Sequence, residues 1–137
     1  MQREIPIIHK LFDRTSVREF IRRTGAFYIN CKIENHLKRS ESTVAKKLLV
    51  DTGSEYTWIN KSTLDSIGVT IEKKDVPFQM SNGQIIIREI GFVILRYDKY
   101  FTIDEVVFAK KGDLQLLGAR TLEGLNLLVD SQKKVTH

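Results

Sequence analysis

Leu48-Leu49-Val50-Asp51-Thr52-Gly53-Ser54 is an apolar run of strand length that delivers a carboxylate into a turn. The aliphatic residues and the β-branched Val50 ahead of the acid predict a buried strand. Asp51 then emerges at the strand end. There Gly53 permits a sharp turn that brings backbone N–H groups toward the carboxylate, and the Thr52 and Ser54 hydroxyls can bond nearby oxygens. A carboxylate held in this way is oriented for proton-transfer chemistry. The plain alternative is an ordinary strand-end turn, since Asp and Gly are common in such turns.

Upstream of this stretch, Ala26–Ile33 reads as a strand, the polar Glu34–Ser42 segment as a hairpin loop, and Thr43–Val50 as the returning strand. Ser16-Val17-Arg18-Glu19 has capping-box spacing and predicts a short helix over 16–23 that Gly25 ends. Downstream, Asn60–Ile67 predicts a helical turn stopped by Gly68. Val76–Met80, Gln84–Ile90 and Phe92–Tyr97 read as strands, the first two joined by Ser81-Asn82-Gly83 with its strong Asn-Gly hairpin signal. Thr102–Phe108 is a further strand, Lys110-Lys111-Gly112-Asp113 a loop, Leu114–Leu117 a strand, Ala119–Leu125 a short helix and Leu127–Val129 a last short strand. Many short strands with one or two short helices predict a mostly-β barrel or sandwich.

A chain of 137 residues with 42% hydrophobic content accommodates one compact domain. That domain is expected over residues 25–137, behind a basic N-terminal arm over 1–24. No stretch approaches the ~18 apolar residues of a membrane span, and Met1-Gln2-Arg3-Glu4 lacks the core of a signal peptide, so a cytoplasmic protein with no membrane partner is expected. Cys31 is the only cysteine, which fits a reducing compartment and reads as a small buried hydrophobe. The net charge of +5 is uneven: residues 1–47 carry 11 Lys and Arg against 5 Asp and Glu. Aromatic residues do not interleave these charges, so a solvated basic surface is expected and a nucleic-acid partner is not. His9, His36 and His137 are scattered in polar contexts, which predicts no metal site, and no Gly-rich phosphate loop is present.

Three features therefore stand in order: the strand into Asp51-Thr52-Gly53-Ser54, an Asn-Gly hairpin about thirty residues later, and Leu116-Leu117-Gly118 ahead of a short helix. Together they resemble the retropepsin-like aspartic proteases, the single-lobe relatives of retroviral proteases. The resemblance covers roughly residues 25–135. It is nearest to bacterial, cellular members, in which Leu-Leu-Gly is followed by a segment like Thr121-Leu122-Glu123. It implies a closed β-barrel of the acid-protease type, with Asp51 catalytic and Thr52, Gly53 and Ser54 as the active-site loop. Ser81, Asn82, Gly83 and Gln84 would form the flap over the substrate, and Leu116, Leu117 and Gly118 would support the loop. No cofactor is implied.

The resemblance also implies an aspartic endopeptidase in which two aspartates share one proton, the ionised one activating water and the protonated one polarising the scissile carbonyl. One chain supplies one Asp-Thr-Gly. Leu127-Leu128-Val129-Asp130-Ser131 and Asp13-Arg14-Thr15-Ser16 echo the motif without its glycine, and Asp130 is too close in sequence to Asp51 for two complete lobes. The expected partners are hence a second copy of the chain, forming a symmetric homodimer, and a peptide or protein substrate. In the family, the counterpart of Thr52 links the two loops, and the counterpart of Ser54 bonds the outer carboxylate oxygen. Tyr56 and Trp58 could line a side-chain pocket or sit in the core, and Arg120 could pair with an acid near the dimer interface or stay on the surface. Two other functions stay open: a dimeric peptide-binding module without turnover, and a nucleic-acid-binding β-barrel.

Overall fold

The computed structural model describes residues 28–129 and 135–136. The predicted helix over 16–23, the arm as a whole and both echo motifs' aspartates lie outside the described residues. The chain runs β1 (Tyr28–Asn35), β2 (Lys38–Val50), β3 (Thr57–Asn60), α1 (Lys61–Ser66), β4 (Lys73–Gln79), β5 (Ile85–Tyr97) and β6 (Tyr100–Ala109). It continues with β7 (Leu116–Leu117), α2 (Ala119–Gly124), β8 (Leu128–Val129) and β9 (Val135–Thr136).

Seven strands form one sheet in the order β1-β2-β7-β3-β6-β5-β4, and a further antiparallel pairing of β1 with β5 closes six of them into a ring of hydrogen bonds. This is the expected mostly-β fold with two short helices. Period-two burial explains the ring: Cys31 and Ile33 of β1 point inward while Lys32 is exposed, and Val93 and Leu95 of β5 meet them. Leu48 and Val50 of β2, Ile59, Phe108, Leu117 and Leu122 complete this core. Each such side chain, fully buried, contributes about 1.5–3 kcal/mol. A second, smaller cluster joins Trp58, Ile90, Val107, Ala109 and Leu116 on the other face of β7 and β3. Because successive strand residues face opposite ways, Leu116 and Leu117 serve different clusters.

Two segments differ from expectation. The polar Glu34–Ser42 stretch is mostly paired strand: β1 and β2 run together until His36 and Leu37 turn the chain. Asn35 makes that tight turn possible, its Oδ1 accepting the Leu37 N–H at 2.8 Å and its Nδ2 donating to the carbonyls of Ile67 and Gly68. Backbone pairing needs no apolar side chains on an exposed ribbon, so polarity concealed the strands. The predicted strands Gln84–Ile90 and Phe92–Tyr97 are one strand, β5, which passes straight through Gly91. A Cβ there would lie 2.7 Å from the Thr70 carbonyl oxygen, so Gly91 marks a close approach of chains rather than a turn.

Candidate active site

β7 lies between β2 and β3, parallel to the first and antiparallel to the second. The segment from Asp51 to Tyr56 must therefore loop around the end of β7 to connect β2 with β3. Leu49 pairs with Leu116 and Val50 with Leu117, and the Asp51 N–H continues the ladder to the Leu117 carbonyl at 3.0 Å. The turn then closes on itself. Gly53 N–H donates to Asp51 Oδ1 at 3.0 Å, and Ser54 N–H to the Asp51 carbonyl at 3.1 Å. Asp51 is fully buried, a carboxylate enclosed at a strand end in a backbone cradle.

Leu116-Leu117-Gly118 supports this loop from behind. After β7 the chain passes so close to Tyr56 that a Cβ on Gly118 would overlap its carbonyl. The first N–H groups of α2 then meet the loop: Ala119 donates to the Ser54 carbonyl at 2.7 Å and Arg120 to that of Glu55 at 3.3 Å. These bonds satisfy donors that a helix start leaves open. The Ser54 hydroxyl departs from the family role. In the single chain it donates to the Tyr56 carbonyl at 2.9 Å, a local bond between residues two apart in the loop.

A buried polar relay, absent from the sequence reading, holds the rear of the loop. Gly118 N–H donates to Thr57 Oγ1 at 2.9 Å, Thr57 and Thr121 share a hydroxyl bond of 2.6 Å, and Thr121 donates to Asp104 Oδ2 at 2.8 Å. Since the Thr121 proton goes to the carboxylate, Thr57 is the donor in the shared bond. Both threonines are fully buried, and every hydroxyl in the relay is satisfied. Asp104 leads outward to Arg120, whose Nη2 lies 3.5 Å from both Asp104 Oδ1 and Glu105 Oε1 and whose guanidinium stands 5.3 Å from the centre of the Tyr56 ring. Lys73 adds a 2.7 Å bond to Glu105, which holds the Glu105 carboxyl below its ordinary range. The sequence trace of the relay is a threonine opening β3 ahead of the apolar Trp58-Ile59.

The Ser81-Asn82-Gly83 turn forms as predicted. Met80 N–H bonds the Gln84 carbonyl at 2.8 Å, Gly83 N–H the Met80 carbonyl at 2.9 Å, and Asn82 Oδ1 accepts the Gln84 N–H at 2.8 Å. Gly83 has a φ of 85°, the left-handed value that closes a three-residue hairpin loop. Beneath the hairpin lies a cavity of about 330 Å³, lined by Ser81, Asn82 and Gln84 and floored by Trp58 and Leu116. Trp58 is thus both core and pocket wall, with Phe78 packed 5.1 Å from its ring centre. Asp51 does not line this cavity; it follows β2 on the side of β7 away from β3, two residues beyond the Leu49–Leu116 pair. Burial pushes the Cys31 thiol up to about 12, consistent with an unreactive core residue.

Arg88 and Asp113 close one side of the cavity with a two-pronged ion pair, Nε to Oδ2 at 2.7 Å and Nη2 to Oδ1 at 2.8 Å. Burial pushes the Asp113 carboxyl up, but Arg88 and the Lys110 N–H outweigh it and hold the group below its ordinary value near 3.8. A folded-state value below the unfolded one stabilises the fold at pH values above about 4, and that stabilisation is lost as pH falls through the depressed value. Wild type should therefore exceed Asp113→Asn in urea midpoint at pH 7, with the gap closing in strong acid. A gap independent of pH would show that the pair's charge does not stabilise the fold.

The profile of the aspartyl protease family matches residues 32–114. This chain belongs to the aspartyl protease family. The matched span contains the Asp51 loop and the Gly83 hairpin and stops just short of Leu116-Leu117-Gly118, which the fold brings against Asp51. No curated protein matches the chain. No helix among the described residues is long and apolar enough to cross a membrane.

Proposed function

We propose that this aspartyl protease is an endopeptidase that works as a symmetric homodimer, with Asp51 of each chain forming half of one catalytic pair. The observation that carries this reading is the fully buried Asp51 in its turn, oriented by Gly53 N–H and braced by β7. One carboxylate takes a proton from water, while the second, protonated, donates to the scissile carbonyl. The water oxygen adds to the carbonyl carbon, and collapse of the tetrahedral intermediate transfers a proton to the departing amine. Among the described residues there is one such loop, so the second carboxylate comes from a second chain.

Thr52 supports the dimer. Its hydroxyl is buried with no hydrogen-bond partner among the described residues. Such a group costs about 1–3 kcal/mol. A χ1 rotation toward an apposed loop would give it a backbone partner and remove that cost. The Met80–Gln84 hairpin, standing over the cavity, would close on an extended peptide held by main-chain bonds and would exclude bulk water.

Subunit mixing tests this reading. If each site needs Asp51 from both chains, activity depends on the square of the wild-type fraction, so an equal mixture with Asp51→Asn subunits, after exchange, should retain about one quarter of the all-wild-type rate. Retention of one half would mean that each chain works alone.

A further inference from the structure

The cavity beneath the hairpin has apolar walls and one charged boundary. Met80 and Ile86 from the hairpin, Leu114 from the loop after β6, and Trp58 and Leu116 from the floor enclose it. Arg88 follows Ile86 on the same face of β5, and Asp113 comes from the opposite loop. Their pair therefore joins the two walls. Both side chains are about six-sevenths buried, at 14% and 13% exposure. Further bonds hold each member in place: Arg88 also donates from Nη1 to the Ile87 carbonyl at 2.8 Å, and Asp113 Oδ2 also accepts the Lys110 N–H at 2.8 Å.

Two opposite charges so matched present a neutral boundary, and a third charge brought beside them must lose its hydration without meeting an uncancelled opposite charge. A large apolar side chain loses nothing there and gains contact with Trp58 and Leu116. We propose that the Arg88–Asp113 clasp sets the charge selectivity of this pocket, sealing it as a neutral slot for one large apolar side chain of the peptide and rejecting acidic and basic ones. The inference rests on reading the hairpin cleft as the peptide site. It adds that selectivity resides in a cancelled charge pair, so removing one member exposes the other as a new determinant.

Trp58 is the only tryptophan in the sequence, so its emission reports on the slot. The test uses the full chain carrying Asp51→Asn, titrated with blocked hexapeptides that differ only in having Leu, Glu or Lys at one central position. With the clasp intact, the Leu peptide should bind most tightly. Adding Asp113→Asn, which keeps an acceptor for Lys110 but leaves the guanidinium uncancelled, should shift the Glu-to-Leu affinity ratio roughly tenfold toward Glu. Adding Arg88→Met should shift the Lys-to-Leu ratio similarly toward Lys. The double variant, neutral again, should return to preferring Leu, which a loss of fold would not produce. Equal binding of all three peptides by the intact clasp, an unchanged order in both single variants, or no change in Trp58 emission with any peptide would overturn the proposal. A chain that binds with this selectivity while its wild-type form cleaves none of the peptides would sink the endopeptidase reading and leave the clasp standing.

Discussion

Asp51→Asn should reduce peptide cleavage by roughly 10²–10⁴-fold or more, the range associated with loss of a general acid–base group, while the fold survives. The substitution is nearly isosteric, and the amide oxygen can still accept the Gly53 N–H that now bonds Oδ1 at 3.0 Å. On the proposed mechanism, what it removes is the capacity to take a proton from water. In a homodimer the change enters both halves of the site at once. Cleavage of an unbiased peptide mixture, followed by mass spectrometry, measures the loss, and circular dichroism with a urea titration checks that the variant is folded. Undiminished cleavage by the folded variant would remove Asp51 from the chemistry.

Gly118→Ala should be the most damaging single-methyl change in the active-site loop, costing about 3 kcal/mol or more in unfolding free energy, beyond ordinary overpacking. The added Cβ would overlap the Tyr56 carbonyl, coming within 2.6 Å of its carbon and 2.8 Å of the Glu55 oxygen. Both obstacles are backbone. Neither can rotate away, and moving them breaks the bonds that tie Ser54 and Glu55 to the start of α2. Gly83→Ala is the proper comparison. Its Cβ would meet nothing within 4 Å, so only the left-handed φ penalises it, at about 1 kcal/mol. Urea midpoints should fall in that order. Equal midpoints for the two variants would mean that Gly118 does not fix the spacing between the loop and β7.

Local signals made much of the protein legible. The apolar run into Asp51 is a strand, the glycine two residues on supplies the N–H that orients the carboxylate, and Asn82-Gly83 makes the hairpin. Each depends only on the conformational preferences of neighbouring residues. The same locality explains the misreadings. Residues 37–41 are polar apart from Leu37 and lie on an exposed ribbon, Glu34 is buried against Arg96, and ladder bonds are made by backbone whatever the side chains. Gly91 looked like a break because its actual role, admitting the Thr70 carbonyl, involves a residue from a different part of the chain.

By itself, then, the sequence determined the mostly-β character, the order of the loop, hairpin and Leu-Leu-Gly elements, and Asp51 as the acid at the strand end. Only the tertiary structure decided what surrounds that acid. Thr57, Thr121 and Asp104 line up behind Gly118 across separations of 17 to 64 residues, and Arg88 finds Asp113 across 25. Those meetings are set by strand register and by the insertion of β7 between β2 and β3. Register is a property of paired strands, and no window along a single strand contains it.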